Sequence, residues 1–151
     1  MKTLSETKLY KAVFRHFAPL VSSKKGKNTT LDTAFLIETF YNNKENYVSF
    51  VCKGDFVFDK FVNEFDKLAD FCHKNNCRNL LFDMSGLNSP LPDWDRFKTG
   101  EAIADKLMGI KLASFSKASF TNGFTINVAF NRGMDIKVFT DLEEALKWLL
   151  G

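Results

Sequence analysis

Along residues 3–18 apolar side chains recur at four-residue steps, Leu9, Val13 and Phe17, with Tyr10 and Phe14 beside them. That spacing predicts a helix with one apolar face and one basic face. Thr3 and Glu6 stand at capping-box spacing and Pro19 stops the helix. Residues 22–30, SSKKGKNTT, offer nothing to a core and read as a solvated linker. The chain therefore divides into a basic leader helix with its linker over residues 1–30 and a folded domain over residues 31–151.

In that domain the period changes to two. Residues 34–41 and 47–53 are rich in β-branched and aromatic side chains, and NNKEN between them is turn chemistry, which predicts a hairpin. Residues 59–74 place Phe61, Phe65, Leu68 or Ala69, and Cys72 on one helical face. The short run NLLFD, 79–83, predicts a strand covered on both faces. After the loop MSGLNSPLP, Asp93 is placed to cap a helix reaching about Met108, with Trp94, Phe97, Ala104, Leu107 and Met108 inward. A strand over 110–115 and a helix over 120–132 follow, the helix stopped by Gly133. A last strand spans 136–139, and Thr140 with Glu143 opens a helix burying Leu142, Leu146 and Leu149. A hairpin followed by alternating helices and strands implies the α/β class: a mixed, largely parallel sheet with packed helices, plus the extra N-terminal amphipathic helix.

Composition adds an asymmetry. The 151-residue chain has a net charge of +3, yet residues 1–30 hold seven Lys and Arg against Glu6 alone, so the leader is strongly basic and the body mildly acidic. Such an arm suits an anionic surface or the protein's own body. Seventeen phenylalanines promise an aromatic core. No apolar run nears the roughly 18 residues that cross a bilayer. Glu6, Lys8 and Lys11 stand where a signal peptide needs an apolar block, so a cytoplasmic location is expected. Three irregularly spaced cysteines, Cys52, Cys72 and Cys77, read as reduced thiols.

Little in the chain points to catalysis. His16 and His73 lack partner motifs and read as surface residues. Cys72, His73 and Cys77 lack the fourth ligand of a structural zinc site, so neither a metal nor a cofactor is expected. Gly26-Lys27 has Val21 where a phosphate loop needs glycine, and no GxGxxG occurs. The sequon Asn28-Thr29-Thr30 is silent without secretion, and Asp93 and Asp95 fall on different helical faces. The segment of interest is Asp83-Met84-Ser85-Gly86 with the following NSPLPD. It reads either as a connector or as an anion or partner site at a strand end facing a helix N-terminus. A phosphate on Ser85 or Ser89 would lie near that helix's positive end and Arg96.

The order of elements around DMSG resembles the STAS fold, named for sulfate transporters and anti-sigma factor antagonists. DRFKTGE (95–101), NVAFNRG (127–133) and VFTDLEEALKWL (138–149) resemble its SpoIIAA-like, or STAS/SEC14-like, branch. The likeness covers about residues 34–150. It implies a non-enzymatic regulatory module that binds a protein partner, with a phosphorylatable serine at the helix start. Here Leu91-Pro92-Asp93-Trp94 stands in place of that serine, so the usual phospho-switch is not implied.

The partner surface expected from these readings comprises Ser85, Gly86, Ser89, Asp93, Trp94, Arg96 and Phe97. The branch's other implied role, carriage of a lipid or small apolar ligand, directs attention to Phe115, Phe120, Phe124 and Phe130, which read equally as core. The leader has three readings: packing on the body or on a twin leader in a homodimer, weak contact of residues 3–18 with an anionic membrane, or nucleic acid. No RNP-like or helix-turn-helix signature supports the last.

Overall fold

A computed structural model of the protein describes residues 34–151. The leader predicted over residues 1–30 lies outside them. Strands β1 (Leu36–Asn42) and β2 (Tyr47–Gly54) form the hairpin, and helices α1 (Phe58–Val62) and α2 (Phe65–Lys74) lead to β3 (Asn79–Leu87). Helix α3 (Asp93–Lys106), β4 (Lys111–Phe115), a 3-10 turn (Ala118–Phe120), α4 (Phe124–Asn131), β5 (Ile136–Phe139) and α5 (Leu142–Leu150) complete the chain. The sheet runs β1-β2-β3-β4-β5, with the hairpin antiparallel and every later pair parallel. The predicted α/β class with a mixed, largely parallel sheet is therefore the observed one. Among the described residues no helix is long and apolar enough to cross a membrane.

Alternation along the strands splits the core in two. Val48, Phe50, Leu80, Phe82 and Leu112 face the side that carries α1 to α4, where they meet Phe61, Phe65, Leu68, Ile103 and Ala129. Tyr47, Leu81, Ala113 and Phe139 face the other side and meet Ala145, Leu146 and Leu149 of α5. The first side is built on four buried phenylalanines. The Phe61 ring lies 4.9 Å from Phe65 and 5.4 Å from Phe82, and Phe50 lies 5.2 Å from Phe82. Such tilted and edge-on pairs add about 0.5–1.5 kcal/mol each beyond area burial.

Several expected boundaries are corrected. The helix over 59–74 is two helices, because the Glu64 amide bonds the Phe61 carbonyl at 3.3 Å, a tighter step that lets Phe61 and Phe65 enter one ring cluster. Strand β3 runs on through Ser85 and Gly86 to Leu87. Gly86 and Leu87 pair with Lys53 and Gly54 beyond a bulge that takes up Ser85, so the DMSG segment is strand rather than loop. Gly86 is required there: a Cβ would lie 2.7 Å from the Lys53 side chain and 2.9 Å from the Cys52 carbonyl. The helix expected from residue 120 begins at Phe124, since Gly123 at φ +74 ends the preceding turn. Pro92, not Asp93, occupies the N-cap of α3. Asp141, not Thr140, caps α5 by accepting the Glu144 amide at 2.9 Å. Trp94, Met108 and Leu142 are exposed, and the buried stripe of α3 is Thr99, Gly100, Ile103 and Ala104. Gly133 holds its predicted role at φ +96.

Helices α3 and α4 touch at Gly100, where a Cβ would lie 2.7 Å from the Thr125 carbonyl and the Val128 side chain. Alanine ordinarily stabilises a helix interior over glycine by up to about 1 kcal/mol. Gly100→Ala is expected to do the reverse, lowering urea-unfolding stability by about 1–2 kcal/mol once overpacking is set against that gain. An unchanged or raised midpoint would contradict this contact.

Candidate functional site

The parallel strands end together beside the N-terminal turns of α3 and α4, and a cavity of about 90 Å³ opens there. Its buried walls are Phe82, Leu112, Ile103 and Ile136, and its outer lining includes Arg96, Ser116, Thr121, Asn122 and Thr125. Among the described residues that line it, Arg96 is the only charged side chain. Its side chain is 11% exposed. Nε donates to the Leu91 carbonyl at 2.7 Å and Nη2 to the Phe120 carbonyl at 3.4 Å, so one side chain ties the two loops that flank the opening. Lys117 makes a second tie, donating to the Leu87 carbonyl at 3.0 Å. Thr99, one turn along α3 from Arg96, is 3% exposed, and among the described residues its Oγ1 has no hydrogen-bond partner.

The expected partner residues do not all meet. Trp94 is 66% exposed and stacks on Phe97 with ring centres 5.6 Å apart and planes 18° apart. The Arg132 guanidinium lies 5.7 Å over the Phe97 ring and pairs with Glu101 at 2.8 Å. Asp93 and Ser89 are exposed beside this stack in sequence. Arg96 points away from it into the loop ties. Ser85 is bonded to Asp83 through both its amide and its hydroxyl, so a phosphate there would meet a carboxylate. Of the four phenylalanines weighed for an apolar ligand, Phe120 and Phe124 line the cavity. Phe115 packs on the opposite side with the α5 cluster, and Phe130 is 62% exposed. Sequence reasoning missed Thr99, Ser114 and Ser116. Thr99 shares a helical face with Arg96 and Ile103, but a search for apolar stripes passes over a threonine.

No family model matches the chain, and no curated protein does. Solved structures do. An anti-sigma factor antagonist from Mycobacterium paratuberculosis superposes with a TM-score of 0.56 at 7% identity, over 81% of this chain and 99% of that one. An uncharacterized protein of the DUF3478 family with a SpoIIAA-like fold, from Shewanella loihica, gives 0.52 at 19% identity, over 82% and 99%. The fold is SpoIIAA-like. At these identities the likeness is one of architecture, as the resemblance of the three sequence segments implied.

At the opposite end of the SpoIIAA-like sheet, where β2 and β3 begin, lies a pair of buried thiols. The Cys77 amide bonds the Cys72 carbonyl at 2.8 Å, closing α2, and the two sulfurs hydrogen-bond. That bond from Cys72, helped by the Asn79 and Val48 amides and opposed by burial, pulls Cys77 down to about 7. The same bond, with burial, pushes Cys72 up, and burial pushes Cys52 up. His73 beside them is exposed. Between pH 7 and about 9 the unfolded chain then binds a proton at Cys77 that the folded chain has released, so stability rises with pH. Above about 9 the folded chain keeps protons at Cys72 and Cys52 that the unfolded chain loses, so stability falls. In Cys77→Ser the rise from pH 7 to 9 in the urea midpoint should vanish while the fall above it persists through Cys52. A rise equal to wild type would refute the assignment.

Proposed function

We propose that this STAS-type chain is a non-enzymatic interaction module that binds a protein partner through the start of α3. The surface is formed by Ser89, Asp93, Trp94 and Phe97, with Arg96 fixing the loop beneath it and Ser85 and Gly86 shaping the strand end. The observation that carries the reading is Trp94, an indole largely in solvent yet held rigid by stacking on Phe97. Tryptophan and arginine dominate the energetic centres of protein interfaces, surrounded by polar groups that exclude water. Here the rim is Asp95 paired with Lys98 at 3.4 Å, and Glu101 paired with Arg132. One structure of this fold is by name an anti-sigma factor antagonist, which supports a protein partner. A lipid carrier is less well supported, because ligand pockets usually enclose roughly 300–1,000 Å³ and the cavity holds about 90 Å³.

Quantitative affinity capture from the source lysate should show a partner retained by wild type and by Lys147→Ala on α5. Trp94→Ala should lose it about tenfold or more, the scale of an interface anchor. Because Trp94 is exposed, its removal should leave the unfolding midpoint unchanged. Equal recovery by Trp94→Ala would overturn the reading.

A further inference from the structure

Helix α2 ends in a closure that sets two cysteines side by side. The Cys77 amide bonds the Cys72 carbonyl at 2.8 Å, the Asn76 amide bonds the His73 carbonyl at 3.2 Å, and Asn76 takes the left-handed conformation at φ +48. These are the paired bonds of a Schellman closure, whose two outer positions frequently hold a hydrophobic pair in contact. Here both positions are cysteines, 1% and 2% exposed. Ordinary bond lengths on either side of the 2.8 Å contact hold the two Cα atoms within about 7 Å, the outer reach of a disulfide. The sulfurs already hydrogen-bond, so closing a bond between them asks for little backbone movement. The same contact favours the Cys77 thiolate, the form that attacks an oxidant. Cys52 lies five residues along β2 from Tyr47, about 16 Å from the end where the pair sits, and has no part in it.

The Cys77 proton has a structural use. Its thiol donates to the Asn46 carbonyl at 3.3 Å, with the Asn79 carbonyl at 3.5 Å as the second acceptor in reach. Asn46 closes the turn between β1 and β2 at φ +54, and its side chain donates to the Asn76 carbonyl at 3.1 Å. The hairpin turn is thus tied to the end of α2 by one thiol and one amide. A disulfide carries no S–H, so oxidation removes the first of these ties while leaving the second. Both sulfurs are buried, but their neighbours Asn75, Asn76 and Arg78 are exposed. Fraying of the last helical turn, a low-cost local opening, admits a molecule as small as a peroxide.

We propose that Cys72 and Cys77 are a modification site for hydroperoxides, closing to a reversible disulfide that releases the β1–β2 turn from the end of α2. In the first step the Cys77 sulfur attacks one oxygen of hydrogen peroxide: an S–O bond forms, the O–O bond breaks, and the departing hydroxide takes the thiol proton to become water. In the second the Cys72 sulfur attacks the Cys77 sulfur: the S–S bond forms, the S–O bond breaks, and the hydroxide takes the Cys72 proton as a second water. The two sulfurs together lose two electrons, and the peroxide gains them. The site lies at the end of the sheet away from the partner surface and does not depend on it.

The test treats the folded full-length protein with hydrogen peroxide, then denatures and alkylates it for intact and peptide mass spectrometry. The mass should fall by about 2 Da, the two hydrogens lost, with Cys72 linked to Cys77 and Cys52 still alkylated. Excess reduced glutathione should restore both thiols. Cys72→Ser should instead gain oxygen at Cys77, since the second sulfur is missing. In amide NMR the signal of Tyr47, which shares a peptide group with the Asn46 carbonyl, should shift on oxidation, and Cys77→Ala, which lacks the donor, should shift it the same way. No loss of two hydrogens in the wild type, a link through Cys52, a disulfide that forms only in the urea-unfolded chain, or one that glutathione does not reduce would each overturn the proposal. An unmoved Tyr47 amide in the oxidised protein would overturn the release of the turn.

Discussion

The strands lie across the sheet in the order in which the chain makes them, and every step after the hairpin is parallel. A parallel step needs a crossover, and crossovers are right-handed in almost every protein. Successive right-handed crossovers that advance in one direction must all return over the same face. That constraint places α1 to α4 on one side, and the second side is left to α5, which follows the last strand and has no further strand to reach. The unequal cores follow. The crossover side carries the phenylalanine cluster and most of the buried side chains, while the α5 side is a smaller patch around Leu81 and Ala113.

The same constraint makes the site. With four parallel strands, β2 to β5, ending at one edge, each connection must leave the sheet there, and the N-termini of α3 and α4 arrive beside one another. Strand ends expose carbonyls and helix starts expose amides, so this edge is polar wherever the side chains allow it. Arg96 and Lys117 take up carbonyls of Leu87, Leu91 and Phe120. The two loops are thus held by cations from the elements they join, which keeps the cavity open between them instead of letting the loops collapse onto Leu112. A long side chain on α3 with a buried stem and an occupied head is a spacer as much as a charge.

Element types were legible in the sequence because periodicity is a local property, and those residues that alternate or recur every turn do so for one neighbour. Strand β5 and the stop at Gly133 needed nothing more. Boundaries that depend on a partner strand were not legible. Ser85 and Gly86 read as loop, since Met-Ser-Gly is turn chemistry in isolation, and only the bulge against Lys53 makes it strand. The step between α1 and α2 likewise answers to ring packing, which no one-dimensional pattern carries. At the candidate site, the sequence reading pointed to the strand ends and to helix α3, which border the cavity, and two of the four phenylalanines it weighed, Phe120 and Phe124, line it. It missed Thr99 because hydrophobic scans rank a threonine as neutral.

The helix α3 inverts the usual expectation and in doing so separates two roles. Its largest apolar side chain, Trp94, faces solvent, while an arginine and a threonine face the interior. Amphipathic logic would predict the helix rotated by about half a turn, since burying an indole is worth more than burying a threonine. Gly100 explains why it is not. The contact with α4 leaves no room for any side chain at that position, and this fixes the rotation so that residues 96, 99, 100 and 103 point inward together. Trp94 must then project outward, where stacking on Phe97 limits its freedom without covering it. A close backbone approach at one glycine thereby sets both what the surface displays and which polar groups the cavity receives.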